Sequence, residues 1–287
     1  MNAPRPPLFD FRTARMRRDR ARRLDGDRFL DRAALEGLAD RLQAVTRRFS
    51  AGLMVGGPVP PELKGFATDW WEADFDENEM LGVADEKFDL AISLFSLQAI
   101  NDLPGALVQI RRALKPDGLF LGVLFGGATL TELRQSFAMA ESETTGGISP
   151  RISPFADVRD LGGLLQRAGL ALPVTDVERA RVRYGDFSAL ARDLRAHGLT
   201  NALSQRRKRF LRRDTLSAML AHYRAHHAEA GKLNAIFEIV YLTGWTPHQS
   251  QQQPLKPGSA KARLAEALGT VEHSANEATA PPKRSGH

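Results

Sequence analysis

The sequence predicts an α/β protein with a mostly parallel sheet, and three observations predict it. Phe88-Asp89-Leu90-Ala91-Ile92-Ser93-Leu94 is a short apolar run, the pattern of a strand covered on both faces. A helical stripe of Leu103, Leu107, Ile110 and Leu114 follows, at offsets of four, three and four. Leu119–Leu124 is then a second apolar run, stopped by Gly126-Gly127. Strands that alternate with helices build βα units and a parallel sheet.

The remaining elements follow in chain order. Residues 4–7 are a Pro-rich leader. Residues 8–45 read as helical, with Leu24, Phe29, Leu30, Leu35, Leu38, Leu42 and Val45 at helical spacing. Ala51–Val55 is a strand that ends at Gly56-Gly57-Pro58, and Phe66–Trp71 is a second strand. Asn101 or Asp102 caps the helix that runs from Asp102 to Leu114, and Pro116-Asp117-Gly118 stops it. Thr129–Ala140 and Val158–Ala168 are helices. Val174–Tyr184 alternates with a period of two, as a strand with one wet face does. Residues 187–231 are mostly helical, and Phe237–Leu242 is a last strand before Gly244-Trp245. The late strands form an antiparallel edge. Five segments result: a helical start at 1–45, a core at 46–185, a helical cap at 186–232, a final core strand at 233–248 and a disordered tail at 249–287.

Composition narrows the function. The 287 residues hold 40 Lys+Arg against 34 Asp+Glu, a formal charge of +6. Residues 1–23 contain eight Arg and two Asp, so they carry the whole surplus. A nucleic-acid binder carries its basic face through the domain, and none is expected here. The Arg-rich segment suits an acidic protein partner. Arg206–Arg209 with Arg212 and Arg213 is a second basic patch. Cysteine is absent, which excludes disulfides, thiolate metal sites and a Cys nucleophile. No run approaches the roughly 20 apolar residues of a membrane span. The expected compartment is the cytoplasm, with the inner-membrane surface as a peripheral station. His222 and His226 lie four apart, without the acidic neighbour of a zinc motif, and no metal site is assigned. G-x-S-x-G and Gly-Lys-Ser/Thr motifs are missing, against a serine hydrolase and a P-loop.

Ligands of such sheets bind beyond the carboxyl ends of the strands, so the loops after Val55, Trp71, Leu94 and Leu124 are the candidates. Gly56-Gly57 lets a backbone approach a ligand closely, although Met54 stands where an acidic residue often precedes such glycines. Glu72–Glu79 gathers carboxylates that suit ribose hydroxyls or an adenine amine.

The stretch Phe88–Ser93, then Ile100-Asn101-Asp102-Leu103-Pro104-Gly105-Ala106-Leu107, then Ile110–Gly118, resembles class I S-adenosylmethionine-dependent methyltransferases. Leu8-Phe9-Asp10, Ser153–Asp160, Leu164–Gly169 and Leu242–Trp245 extend the likeness. They point to the branch of malonyl-carrier-protein methyltransferases and of a complex I assembly factor that hydroxylates arginine. The resemblance implies a Rossmann-like sheet with helices on both faces, and S-adenosylmethionine as cofactor. It implies that Val55, Gly56 and Gly57 form the cofactor loop and that Asp76 or Glu77 lies near adenine. Ser93, Leu94 and Phe95 would pass the methionine part. It names no catalytic residue, because a sulfonium is already activated and the protein supplies position and dryness. A protein or carrier-protein substrate follows, and the segment 187–231 would cover it. The alternatives are an arginine-hydroxylase-type assembly factor and a non-catalytic docking protein.

One departure is legible. Only 32 residues separate Gly56 from Phe88, where the resembled fold places two strands and three helices. One βαβ unit takes about 30 residues. The first half should therefore be shortened, with at least one helix and a strand missing or vestigial.

Overall fold

The computed structural model describes residues 6–24 and 26–251; the tail read at 249–287 lies almost wholly outside them. Seven strands form one sheet in the order β2-β1-β3-β4-β7-β5, with the two-residue β6 (Ala228–Glu229) paired to β7. The parallel half comprises β2 (Ala67–Ala73), β1 (Phe49–Val55), β3 (Phe88–Leu94) and β4 (Leu114–Phe125). The long β7 (Lys232–Trp245) runs antiparallel between β4 and β5 (Ala171–Tyr184).

Between β1 and β3 the chain makes one strand and one short 3-10 helix, Pro61–Phe66. The first half is shortened as the 32-residue interval demands. β2 pairs directly with β1, Phe49 facing Ala67 and Val55 facing Ala73, and becomes the outer edge of the sheet.

Helices cover both faces. α2 (Phe29–Gln43), α4 (Thr131–Thr145), α6 (Phe187–Ala196) and α7 (Arg213–His227) share one apolar cluster with Leu90, Ile92, Leu121 and Val123. α3 (Leu103–Ala113) and α5 (Val158–Arg167) share the other with Ala91, Phe120 and Leu124. The alternation along β3 and β4 is the period of two that sends successive side chains to opposite faces. Leu107 and Ile110 of the predicted stripe are fully buried. Each such side chain contributes about 1.5–3 kcal/mol by leaving water.

Two buried carboxylates pin the frame. Asp89, in the middle of the sheet, accepts from the Ser50 amide (2.9 Å), the Ser50 hydroxyl (2.6 Å) and the Ala51 amide (2.8 Å). Burial pushes its pKa up, but these donors outweigh burial and hold it below the usual range. Glu141 of α4 accepts from Ser149 and from Arg151, whose Nη2 lies at 2.6 Å.

Two elements depart from expectation. Pro116-Asp117-Gly118 is a bulge inside β4 as well as a helix stop: β3 advances two residues from Phe88 to Leu90 while β4 advances five, from Leu114 to Leu119. Asp117 takes φ +61° there, and Thr246 closes the bulge, its amide donating to the Gly118 carbonyl at 2.8 Å. The segment 186–232 is also not one cover. α7 packs on α4, and only the His197–Ala202 stretch after α6 approaches the strand ends.

Candidate functional site

The carboxyl ends of β1 and β3 flank the point where the chain turns outward to β2 and back to β3, the switch point of the sheet. Gly56 follows β1 with φ +93°, a conformation that side chains other than glycine's rarely adopt. Its amide donates to the Ala73 carbonyl at 2.7 Å, tying the loop to the end of β2. A Cβ on Gly56 would lie 2.0 Å from Ser96 Cβ. Ser96 donates its hydroxyl to the Val55 carbonyl (2.8 Å) and shares a hydrogen bond with Ser93 (2.6 Å). The glycine therefore lets the β3 loop close on the β1 loop. Phe95 sits in the left-handed region at φ +52°, and its ring stacks on Phe125 at 4.2 Å and 7°.

The Arg-rich start is α1 (Phe11–Arg23), and it lies across this end of the sheet. Asp10 caps it, accepting from the Thr13 amide at 2.9 Å. That bond, the Thr13 hydroxyl and Arg206 bring the Asp10 pKa down to about 2. Arg22 donates to the Gly56 carbonyl. Arg18 reaches Asp74 Oδ2 at 2.6 Å and the Ser96 carbonyl at 3.4 Å. Arg12 pairs with Glu77 at 2.8 Å in the open.

Under α1 is a cavity of about 550 Å³, within the range of small-molecule sites. Of the residues expected at a cofactor site, Gly56, Gly57, Leu94 and Phe95 line it. Val55 and Ser93 are buried just behind, where they hold Ser96. Asp76 and Glu77 are not in the lining. Asp76 bonds its own loop, accepting from the Asn78 and Met80 amides, and Glu77 is turned toward Arg12. The rest of the acidic segment is also engaged. Glu72 accepts from the Val59 amide, Asp74 binds Arg18, and Glu79 holds Asn101 and Asp102 at the start of α3. The segment read as a ribose or adenine contact ties α1 and α3 to the end of β2.

Sequence reasoning missed Arg18, Arg22 and Ser96, together with Arg28, Asp31 and Arg32 around the start of α2. The available signal was the spacing of Arg18 and Arg22, four apart on one helix face. His197 is a further lining residue. Its Nε2 accepts from the Leu30 amide at 3.3 Å, its Nδ1 meets the Asp193 carbonyl at 2.9 Å, and it stands edge-on to Phe29.

S-Adenosylmethionine fits this cavity in place and in room, but the glycine loop is covered by an arginine. The space above Gly57 is taken by Arg22, 2.8 Å from where a Cβ would sit. No lining carboxylate comes from the β2 end. Four arginines line the cavity, and each is already paired with a carboxylate: Arg18 with Asp74, Arg22 with Asp19, Arg28 with Asp31 and Arg32 with Asp27. Among the described residues, no group of three His, Cys, Asp or Glu is placed to hold a metal ion. No helix among them is long and apolar enough to cross a membrane.

Comparison with known proteins matches residues 18–173 to a family model described as a methyltransferase domain. Human arginine-hydroxylase NDUFAF5, mitochondrial, is 39% identical over 260 residues, covering 82% of this chain and 75% of the relative. The Dictyostelium discoideum protein of the same name is 42% identical over 196 residues, or 68% of this chain. Malonyl-[acyl-carrier protein] O-methyltransferase of Xylella fastidiosa is 39% identical over 181 residues, covering 62% of this chain and 59% of the relative. The chain spans only 45% of the Dictyostelium relative's length and 59% of its Danio rerio counterpart's. With more than half its length matched to the family model, the chain belongs to the methyltransferase-domain family.

Proposed function

We propose that this protein is an assembly factor of the arginine-hydroxylase type for respiratory complex I, built on a methyltransferase fold and acting on a protein partner. What carries this reading is the seat of α1 on the cofactor loop: Arg22 on Gly56 and Arg18 on Asp74 close the positions through which the family resemblance would bring S-adenosylmethionine. The identity to the arginine-hydroxylase relatives over most of the chain supports it. The exposed basic side of α1, with Arg12, Arg15, Arg20 and Arg23, suits an acidic protein surface. The arginine-hydroxylase relatives are named as mitochondrial, and the malonyl-carrier relative comes from a bacterium.

Deletion of the gene tests this reading. Assembled complex I should fall, and peptide mass spectrometry should find an arginine of one of its subunits lacking an added oxygen. Unchanged assembly together with unchanged peptide masses would sink the proposal.

Methyl transfer from S-adenosylmethionine is the second reading, favoured by the cavity at the switch point and by the malonyl-carrier relative. It requires α1 to shift. Calorimetric titration decides it: heat of binding below about 100 μM ligand supports methyl transfer, and silence at that level removes it.

A further inference from the structure

A second cavity, of about 660 Å³, opens beyond the carboxyl end of β4, and its volume lies within the range of small-molecule sites. It is distinct from the cavity under α1, with Phe155 as their shared wall. A parallel bridge between Gly126 and Ala156 ties the segment around Phe155 to the strand end. α4 supplies the facing wall with Phe137 and Ala138, and Pro6, Pro7, Pro150 and Pro154 line the rest. Proline holds its φ fixed and has no amide hydrogen. These wall positions are therefore rigid, and they give a ligand no backbone donor.

One cation in this apolar wall is uncompensated. Arg134 of α4 lines the cavity, half-buried, and its guanidinium bonds only carbonyls: Gly127 at 3.5 Å, Thr129 at 3.3 Å and Ser153 at 3.3 Å. These distances lie beyond the usual hydrogen-bond range, and carbonyls leave the positive charge in place. Among the described residues no carboxylate pairs with Arg134, and burial lowers its pKa with no acid to oppose it. The second arginine of the lining differs. Arg151 gives Glu141 two bonds, at 2.8 and 2.6 Å, and the Ser149 hydroxyl is spent on the same carboxylate. A charge drawn out of water without a counter-charge is costly, and an anion that joins it removes that cost. The mouth adds a second observation. Leu8 and Ile148 line the cavity and are 53% and 67% exposed, so the apolar wall continues to its rim.

We propose that this second cavity binds a small carboxylic acid with an apolar body, its carboxylate on Arg134 and its body between Phe137, Phe155 and the prolines. The Arg134 bonds to carbonyls run from Nη1 and Nη2, which leaves Nε to donate to the acid. One guanidinium without an acid matches one negative charge, and a doubly charged phosphate would exceed it. A charge-assisted bond of this kind is about twice as strong as a neutral one. The site rests on its own cavity and not on the assembly reading, so either can fail alone.

Three probes of one shape, titrated into the full chain by calorimetry, test the proposal: 1-naphthaleneacetate, its neutral amide and the cationic 1-naphthalenemethylamine. The acid should bind about tenfold more tightly than the amide, the step expected of a hydrogen bond to a charged group, and the amine should bind least. Acetate, which has the charge without the body, should bind more weakly than the naphthyl acid. Arg134→Met should remove the difference between acid and amide while circular dichroism stays native, and Arg134→Lys should keep part of it. Ala138→Trp, on a half-buried position of α4, should fill the cavity and abolish binding, and it serves as the second variant if Arg134→Met fails to fold. No binding of the acid, equal affinity for acid and amide, a preference for the amine, or acid binding that persists unchanged in either folded variant would each overturn the proposal.

Discussion

Gly56→Ala tests how the two strand-end loops are joined. Two costs arise. The φ of +93° lies outside the range open to alanine, a penalty of about 1–3 kcal/mol. The new methyl would also stand 2.0 Å from Ser96 Cβ and 2.6 Å from its Oγ. Ser96 is buried and held by Val55 and Ser93, so it cannot swing aside freely; overpacking of this kind costs about 1–3 kcal/mol. The variant should lose about 2–6 kcal/mol in urea unfolding. Ser96→Gly alone should cost about 1 kcal/mol for its hydrogen bonds, but in the Gly56→Ala background it should restore stability by relieving the clash. The double variant should therefore be more stable than Gly56→Ala alone, with a coupling of about 1–3 kcal/mol. Additive losses, or a Gly56→Ala cost below about 1 kcal/mol, would mean that Ser96 does not fill the glycine's space.

Three further expectations follow from the same geometry. Gly37→Ala, which should help a helix by about 1 kcal/mol, should instead destabilise by about 1–3 kcal/mol in urea, because its methyl meets the buried Tyr241 ring within 2.8 Å. Burial raises the Glu141 pKa, but Ser149 and Arg151 more than offset it, and Asp10 is brought to about 2. Depressed carboxylates add stability above their unfolded pKa and lose it as pH falls through the folded one. The melting temperature should therefore hold down to about pH 4 and then drop toward pH 2, with a smaller acid-induced drop in Glu141→Gln. Asp74→Asn should release Arg18 from its 2.6 Å pair and speed tryptic cleavage within α1, at a stability cost of about 1 kcal/mol or less; cleavage at the wild-type rate would show that the pair does not hold the helix.

The parts of the fold that the sequence revealed were those with local physics. Phe88–Leu94 was read to the residue, because a strand covered on both faces needs a continuous apolar run. α3 was legible from its stripe and from the Asp102 cap, which accepts from the Gly105 amide at 2.9 Å. The shortened first half was legible from the 32 residues between Gly56 and Phe88, set against the resembled fold. What stayed hidden was where long side chains reach. The arginines of α1 have the pattern of a solvated face, yet Arg18 and Arg22 cross to partners 56 and 34 residues away. Asp76 and Glu77 were placed near adenine by the resemblance, and nothing in their spacing tells a loop that bonds its own amides from a nucleoside contact. The bulge at Pro116–Gly118 was masked because a helix stop and a strand bulge use the same residues.

The edge strand β2 has a consequence of its own. In the resembled fold the position beside β1 is an interior one, flanked by a further strand. Among the described residues the sheet stops at Ala67–Ala73, leaving a row of backbone groups open to another extended chain. Trp71 is partly exposed on it, with the Lys87 ammonium 4.6 Å above its ring, and Asp69 and Glu72 are exposed along the same edge. Charges on an open edge discourage pairing between copies. Asp69, Glu72 and Lys87 are therefore the charges that guard this edge against pairing with a second copy.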